Sequence, residues 1–172
     1  MGLNLAVAMT SLAVLSLLST APAAIAQESQ IDRPAELRIG ACDSLGDLVM
    51  PLAHLVVSLG DPQGQTAATP VEQSATVVPY TVTNLLAANH VVTVQKSPEQ
   101  PDVLVACGVV GGTRNPDGTL AIGMLGVNDS GLSGIAYFTP NPGFDNTLIT
   151  ILLVTNDAST TEVSTSEPTE AS

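Results

Sequence analysis

Turn chemistry cuts this chain into apolar runs too short for ordinary helices, and that spacing leaves few folds open. The runs are Glu36–Gly40, Leu52–Ser58, Thr76–Val82, His90–Gln95, Val103–Val110, Leu120–Val127, Leu132–Thr139 and Leu148–Thr155. Each has strand length, and most are rich in β-branched residues. Between them stand Asp61-Pro62-Gln63-Gly64, Asn115-Pro116-Asp117-Gly118, Asn128-Asp129-Ser130-Gly131 and Pro140-Asn141-Pro142-Gly143. Asp-Gly and Ser-Gly pairs favour hairpins, because tight turns need residues that accept positive φ. One helical turn is expected at Val82–Ala88, where Thr83 or Asn84 caps Leu85-Leu86-Ala87. Regular strands with such turns indicate an antiparallel sandwich or barrel. The expectation taken forward is an all-β fold, a Greek-key-like β-sandwich of about eight strands with one disulfide.

Alternation is clearest in Tyr80-Thr81-Val82 and Val92-Thr93-Val94-Gln95, so one face is expected buried and the other wet. Val103 to Val110 is nearly all apolar and reads as a central strand, released by Gly111-Gly112. The only rings are Tyr80, Tyr137, Phe138 and Phe144, with no Trp. The core is therefore expected to be aliphatic. So few rings make poor stacking platforms for single-stranded nucleic acid.

Met1 to Ala26 carries no charged side chain and ends in Ala24-Ile25-Ala26, with Pro22 just ahead. This matches a secretory signal with a small-residue cleavage site, although no Lys or Arg follows Met1. The alternative is an uncleaved N-terminal anchor, but the apolar stretch is shorter than the roughly 20 residues that span a bilayer. No cysteine stands at the cleavage point, so no bacterial lipid anchor is expected, and no later segment is apolar enough to span. The chain is thus expected to be secreted or extracytoplasmic, in a periplasm or at a cell surface. The domain would occupy residues 27–156. From Asp157 to Ser172 the composition turns to Ser, Thr and Glu, which cannot bury enough apolar surface to order itself.

The exported part holds 16 acidic and 4 basic residues, and the net charge is −12. Nucleic acid and anionic lipid both depend on Lys and Arg contacts, so neither is an expected partner. The acidic balance is read as solubility. The two cysteines, Cys42 and Cys107, are expected to pair in an oxidising compartment. Closing so long a loop is worth roughly 4 kcal/mol in the chain-entropy model. The alternative is two buried free thiols.

The cysteine frames also carry a resemblance. Ala106-Cys107-Gly108-Val109-Val110-Gly111 resembles the Ala-Cys-Gly-Val-Ile-Gly strand of copper/zinc superoxide dismutases, whose cysteine bonds a loop cysteine. Glu36-Leu37-Arg38-Ile39-Gly40-Ala41-Cys42 is similar to the His-x-His-Glu-Gly-x-Cys segment of secreted bacterial domains related to that fold. His90 to Ser97 is similar to their His-x-x-x-Val-His-x-Ser segment. Asn128-Asp129-Ser130-Gly131 with Gly134-Ile135-Ala136 resembles their C-terminal hairpin. The likeness spans Glu36 to Ala136 and implies a related β-sandwich. The departures fall on the metal ligands. Glu36, Arg38 and Gln95 stand where the resemblance expects histidines, and Ile39 where it expects Glu. Only His54 and His90 remain, whereas a copper/zinc centre of that kind takes many imidazoles and a carboxylate. In the dismutases the Ala-Cys-Gly strand lies near the C-terminus; here about three strands follow it.

His54 shares a strand face with Leu52 and Val56 by alternation, so partial burial is expected. His90 opens a strand beside Asn89 and is read as a surface or hydrogen-bonded histidine. Both are weak metal candidates. Asp43, Asp47, Asp117, Asp129 and Asp145 fall in expected loops or turns, where Asp bonds its own local backbone. No Gly-x-Ser-x-Gly elbow supports a nucleophile. Gly108 to Gly112 lacks the following helix and Lys-Ser/Thr that phosphate binding needs. Asn128-Asp129-Ser130 fits a glycosylation sequon.

The leading expectation is a secreted, non-catalytic structural or interaction module without cofactor, meeting an unknown protein or cell-surface partner. Its contact surface would be the loops at the ends of the sandwich. The second reading is an extracytoplasmic copper- or zinc-handling protein using His54, His90 and acidic loops. The third is an enzyme with an unrecognised site.

Overall fold

Period-two alternation places apolar side chains on one face of a strand, and a sheet so patterned must close over that face. The computed structural model describes residues 31–61, 63–65 and 67–156. The expected leader through Ala26, Pro62 of the first expected turn, and the tail from Asp157 lie outside the described residues. Eight strands and one short helix follow in order: β1 (Arg33–Ala41), β2 (Ser44–Val57), β3 (Glu72–Val78), α1 (Val82–Leu86), β4 (His90–Ser97), β5 (Gln100–Val109), β6 (Leu120–Gly126), β7 (Leu132–Pro140) and β8 (Thr147–Thr155).

The all-β expectation holds, but the sandwich does not. The strands form one closed antiparallel barrel in the order β1-β2-β3-β8-β7-β6-β5-β4, with β4 returning to β1. The run β4-β1-β2-β3 within it is a Greek key, because α1 carries the chain from β3 back to a place beside β1. Closure rests on two short seams. β2 meets β3 only at Val56–Gln73 and Val57–Glu72. β5 meets β6 only at Ala106–Gly126 and Cys107–Leu125. Beyond the first seam a side chain replaces the ladder: the Ala53 N–H donates to Thr76 Oγ1 at 2.8 Å. Alternation is the same for a sandwich and a barrel, so these few pairs decide between them.

The expected strand at Thr76–Val82 is displaced. Pro79 has no N–H for the ladder, and β3 ends before it. Tyr80-Thr81-Val82 is therefore no strand. Thr81, rather than Thr83 or Asn84, is the helix cap. Its Oγ1 accepts from the Asn84 N–H at 3.1 Å, and Asn84 Oδ1 accepts from the Thr81 N–H at 3.2 Å. The helix starts at Val82, as expected, and ends at Leu86; Val82 and Leu85, three apart, both turn inward and close one end of the barrel.

The interior is filled by Leu37, Leu55, Leu120, Met124, Ile149, Ile151 and Leu153, with Phe138 the one fully buried ring. A bulge opposite Val94–Gln95 leaves Val105 beside Ala106 in the core. β4 departs from expectation. Val91 to Gln95 are buried on both faces, including Thr93 and Gln95. The expected central strand, β5, is buried only from Val105 to Gly108. Among the described residues no helix is long and apolar enough to cross a membrane.

Candidate functional site

What covers the outer face of β4 is the tip of the β1–β2 hairpin. Ala41 pairs with Ser44, so Cys42 and Asp43 form the turn. Gly40 has φ +112°, and a Cβ there would collide with the Ser44 carbonyl. Only glycine lets the strand bend this sharply. Its N–H is held by Asn89 O at 2.9 Å. The tip is tied down by the Cys42–Cys107 disulfide, with Cα atoms 5.8 Å apart across 65 residues. Cys107 lies on β5, with β4 between it and β1, so the bond draws the tip across β4.

Register fixes what lies beneath. Thr93 pairs with Glu36 on one side and Cys107 on the other; Val91 pairs with Arg38 and Val109. Paired residues share a face, so Glu36, Arg38, Val91, Thr93 and Cys107 form one outer patch. Glu36, Arg38 and Gln95 line a single cavity of about 300 Å³ with Leu45, Asp102 and Leu104. These are the three positions at which the resemblance expects imidazoles.

The chemistry at these positions is an ion pair that also ties the hairpin. Arg38 Nη1 donates to Glu36 Oε2 at 2.8 Å. Its Nε and Nη2 donate to the Gly46 carbonyl at 3.2 and 3.0 Å. The planar guanidinium thus fills the space between Glu36 and the hairpin and spends its donors on that carboxylate and the Gly46 carbonyl, leaving Asp102 as the other carboxylate of the cavity. Gln95 Oε1 and Thr93 Oγ1 are buried nearby without a hydrogen-bond partner.

The two histidines stand apart. Arg33 pairs with Leu55 and Ile39 with His90, so six residues of β1, roughly 20 Å, separate their ends of the barrel. His54 does not share a face with Leu52. A bulge between Arg33 and Ala35 turns Leu52 and Leu55 both inward and His54 outward, where its Nδ1 meets Asp32 Oδ1 at 2.6 Å. His90 is buried and hydrogen-bonded: its Nδ1–H donates to the Leu85 carbonyl at 2.8 Å, fastening α1 to β4. Among the described residues no group of three or more His, Cys, Asp or Glu side chains is placed to hold a metal ion.

The carboxylates are mostly turn residues. Asp117 accepts from the Thr119 N–H at 3.0 Å and from its hydroxyl at 2.7 Å, and these bonds, the backbone one first, hold its pKa below the ordinary value. Asp43 accepts from Ser44 Oγ. Asp47 lies inside β2 and not in a loop. In the sequon, Asn128 Nδ2 donates to the Leu104 carbonyl at 3.0 Å, so its amide is already engaged.

One buried pair escaped sequence reasoning. Glu72 is 3% exposed and takes Arg33 bidentately, with Nε at 2.6 Å and Nη2 at 3.2 Å. Arg33 Nη1 also donates to the Lys96 carbonyl at 3.0 Å. This pair braces the barrel mouth opposite α1, beside a cavity of about 770 Å³ lined by Asp32, Arg33, Val56, Lys96 and Glu99. The signal was there: Glu72 shares the inward phase of Ser74 and Val78, and a charge in that phase needs a partner.

Comparison of the chain with family models, curated proteins and solved structures finds no match.

Proposed function

We propose that this protein is an exported, non-catalytic β-barrel that acts as a structural or interaction module. The observation that supports it is Arg38. A permanent cation sits beside Glu36 and Gln95, and its remaining donors hold the Gly46 carbonyl of the hairpin. In a domain resembling the copper/zinc dismutases, these positions then serve the framework rather than a metal. The scaffold they brace is the disulfide-tied hairpin over β4.

Metal analysis of the purified oxidised protein after dialysis against excess copper or zinc tests this reading. Substoichiometric metal is expected, with no shift of the unfolding midpoint on metal addition. One equivalent of copper or zinc surviving dialysis, and lost in Glu36→Gln, overturns the reading in favour of metal handling.

A further inference from the structure

The sheet formed by β6, β7, β8 and β3 has an outer face without a single charged residue. Register places its rows. Ala121, Tyr137, Thr150 and Ala75 form one; Gly123, Ile135, Leu152 and Gln73 the next. Leu125, Ser133 and Val154 flank these on one side, and Thr139, Leu148 and Val77 on the other. Strands β6, β7 and β8 contain no Asp, Glu, Lys, Arg or His, and the one charge of β3, Glu72, points inward. Leu125 is 71% exposed, Val77 56% and Tyr137 40%. Inner-face residues of the same strands fill the core, so the core does not depend on the exposed Leu125, Val77 and Tyr137.

We propose that this face binds the same face of a second copy, making a two-fold symmetric dimer. Charge selects the occupant. At net −12 two copies repel one another wherever their carboxylates face. A charged partner would find nothing complementary on this face. A second copy brings a surface equally uncharged and apolar, and a two-fold axis near Ile135 and Leu152 packs like on like. Size agrees. Four strands about 4.8 Å apart and seven to nine residues long, at roughly 3.4 Å per residue, present on the order of 500 Å² in projection. Side-chain relief raises the accessible area toward the roughly 800 Å² per partner of a stable interface. An apolar patch of this extent matches the largest on a typical monomer, roughly 300–600 Å², and such patches are often functional.

The inference rests on the interaction half of the proposed function and names the partner. Its test is the solution mass of the full oxidised chain by sedimentation equilibrium, beside Leu125→Glu, Ile135→Glu and Leu48→Glu. The expected result is twice the monomer mass for the parent. Leu125→Glu and Ile135→Glu are expected to raise the dissociation constant on the order of 30-fold or more, because Ile135→Glu sets a charge against its own copy near the axis and Leu125→Glu buries one in the flank of the contact. Leu48→Glu, at a site on β2 whose exposure lies between those of Ile135 and Leu125, is expected to leave the dimer intact. Circular dichroism checks that each variant folds; Leu125 is exposed enough that its replacement costs the fold little. A monomeric parent, a dimer untouched by Leu125→Glu, or a monomer that instead binds neutral lipid vesicles through this face overturns the proposal. A monomer that also retains no metal sinks the dimer alone, whereas a metal-retaining dimer sinks the scaffold reading alone.

Discussion

The two short seams divide the barrel into halves that treat their outer faces differently. In β2-β1-β4-β5 the outer face carries Glu36, Arg38 and Asp102, and the chain folds its own hairpin over it. β4 is buried on both sides as a result. In β6-β7-β8-β3 the outer face is uncharged, apolar except for Gln73, Ser133, Thr139, Thr150 and the Tyr137 hydroxyl, and covered by nothing among the described residues. Val91-Val92-Thr93-Val94 and Ile149-Thr150-Ile151-Leu152 read alike as apolar strand segments. One is covered twice and the other once. A strand that is apolar on both faces therefore needs a second cover, and in the first half that cover is held by a disulfide.

Cutting the disulfide releases the cover over β4. Cys42→Ser with Cys107→Ser is expected to cost about 4 kcal/mol in denaturant unfolding, the loop-closure entropy of a bridge this long. Hydrogen exchange locates the damage: amides of Val91 to Gln95 are expected to lose protection while those of Ile149 to Leu153 keep it. Uniform loss across both halves would show that the bridge stabilises only through the unfolded chain.

Glu72→Ala tests the first seam. It leaves Arg33 unpaired at a mostly buried site and is expected to cost about 3 kcal/mol. The loss should open β2 from β3 before either half unfolds, seen as early exchange of the Val56 and Gln73 amides. A cost near zero would mean that Lys96 O and water satisfy Arg33 without the carboxylate.

The smallest effect lies outside both halves, at the β5–β6 turn. Asp117 is fully exposed, and its pKa is lowered by the Thr119 backbone and hydroxyl donors. A carboxyl with a depressed folded pKa adds stability above its unfolded pKa and loses it as pH falls through the folded value. Thr119→Val keeps the backbone bond and removes the hydroxyl one. The Asp117 midpoint, followed by NMR, is expected to rise part of the way to the ordinary carboxylate range. An unchanged midpoint would assign the whole shift to the backbone.

Much of the fold was legible in the sequence, because turn residues and β-branched runs act locally. Eight strands and the helical turn were readable for that reason, and two cysteines alone gave the disulfide. The misplaced strand at Tyr80 and the wrong helix cap came from reading alternation across Pro79, where ladder chemistry fails. His54 was placed on the wrong face because a bulge adds one residue and flips every side chain after it.

Local sequence was enough for most of the strands, their turns, the acidic balance and the thiol pair. These depend on residues within a few positions of one another, or on simple counts. Tertiary structure alone decided that the sheet closes, that Arg33 reaches Glu72, and that Glu36, Arg38 and Gln95 share one cavity. Among the described residues it alone also left one face covered and the other bare. Those outcomes rest on register between strands distant in the chain, where a single residue of slip exchanges inside for outside.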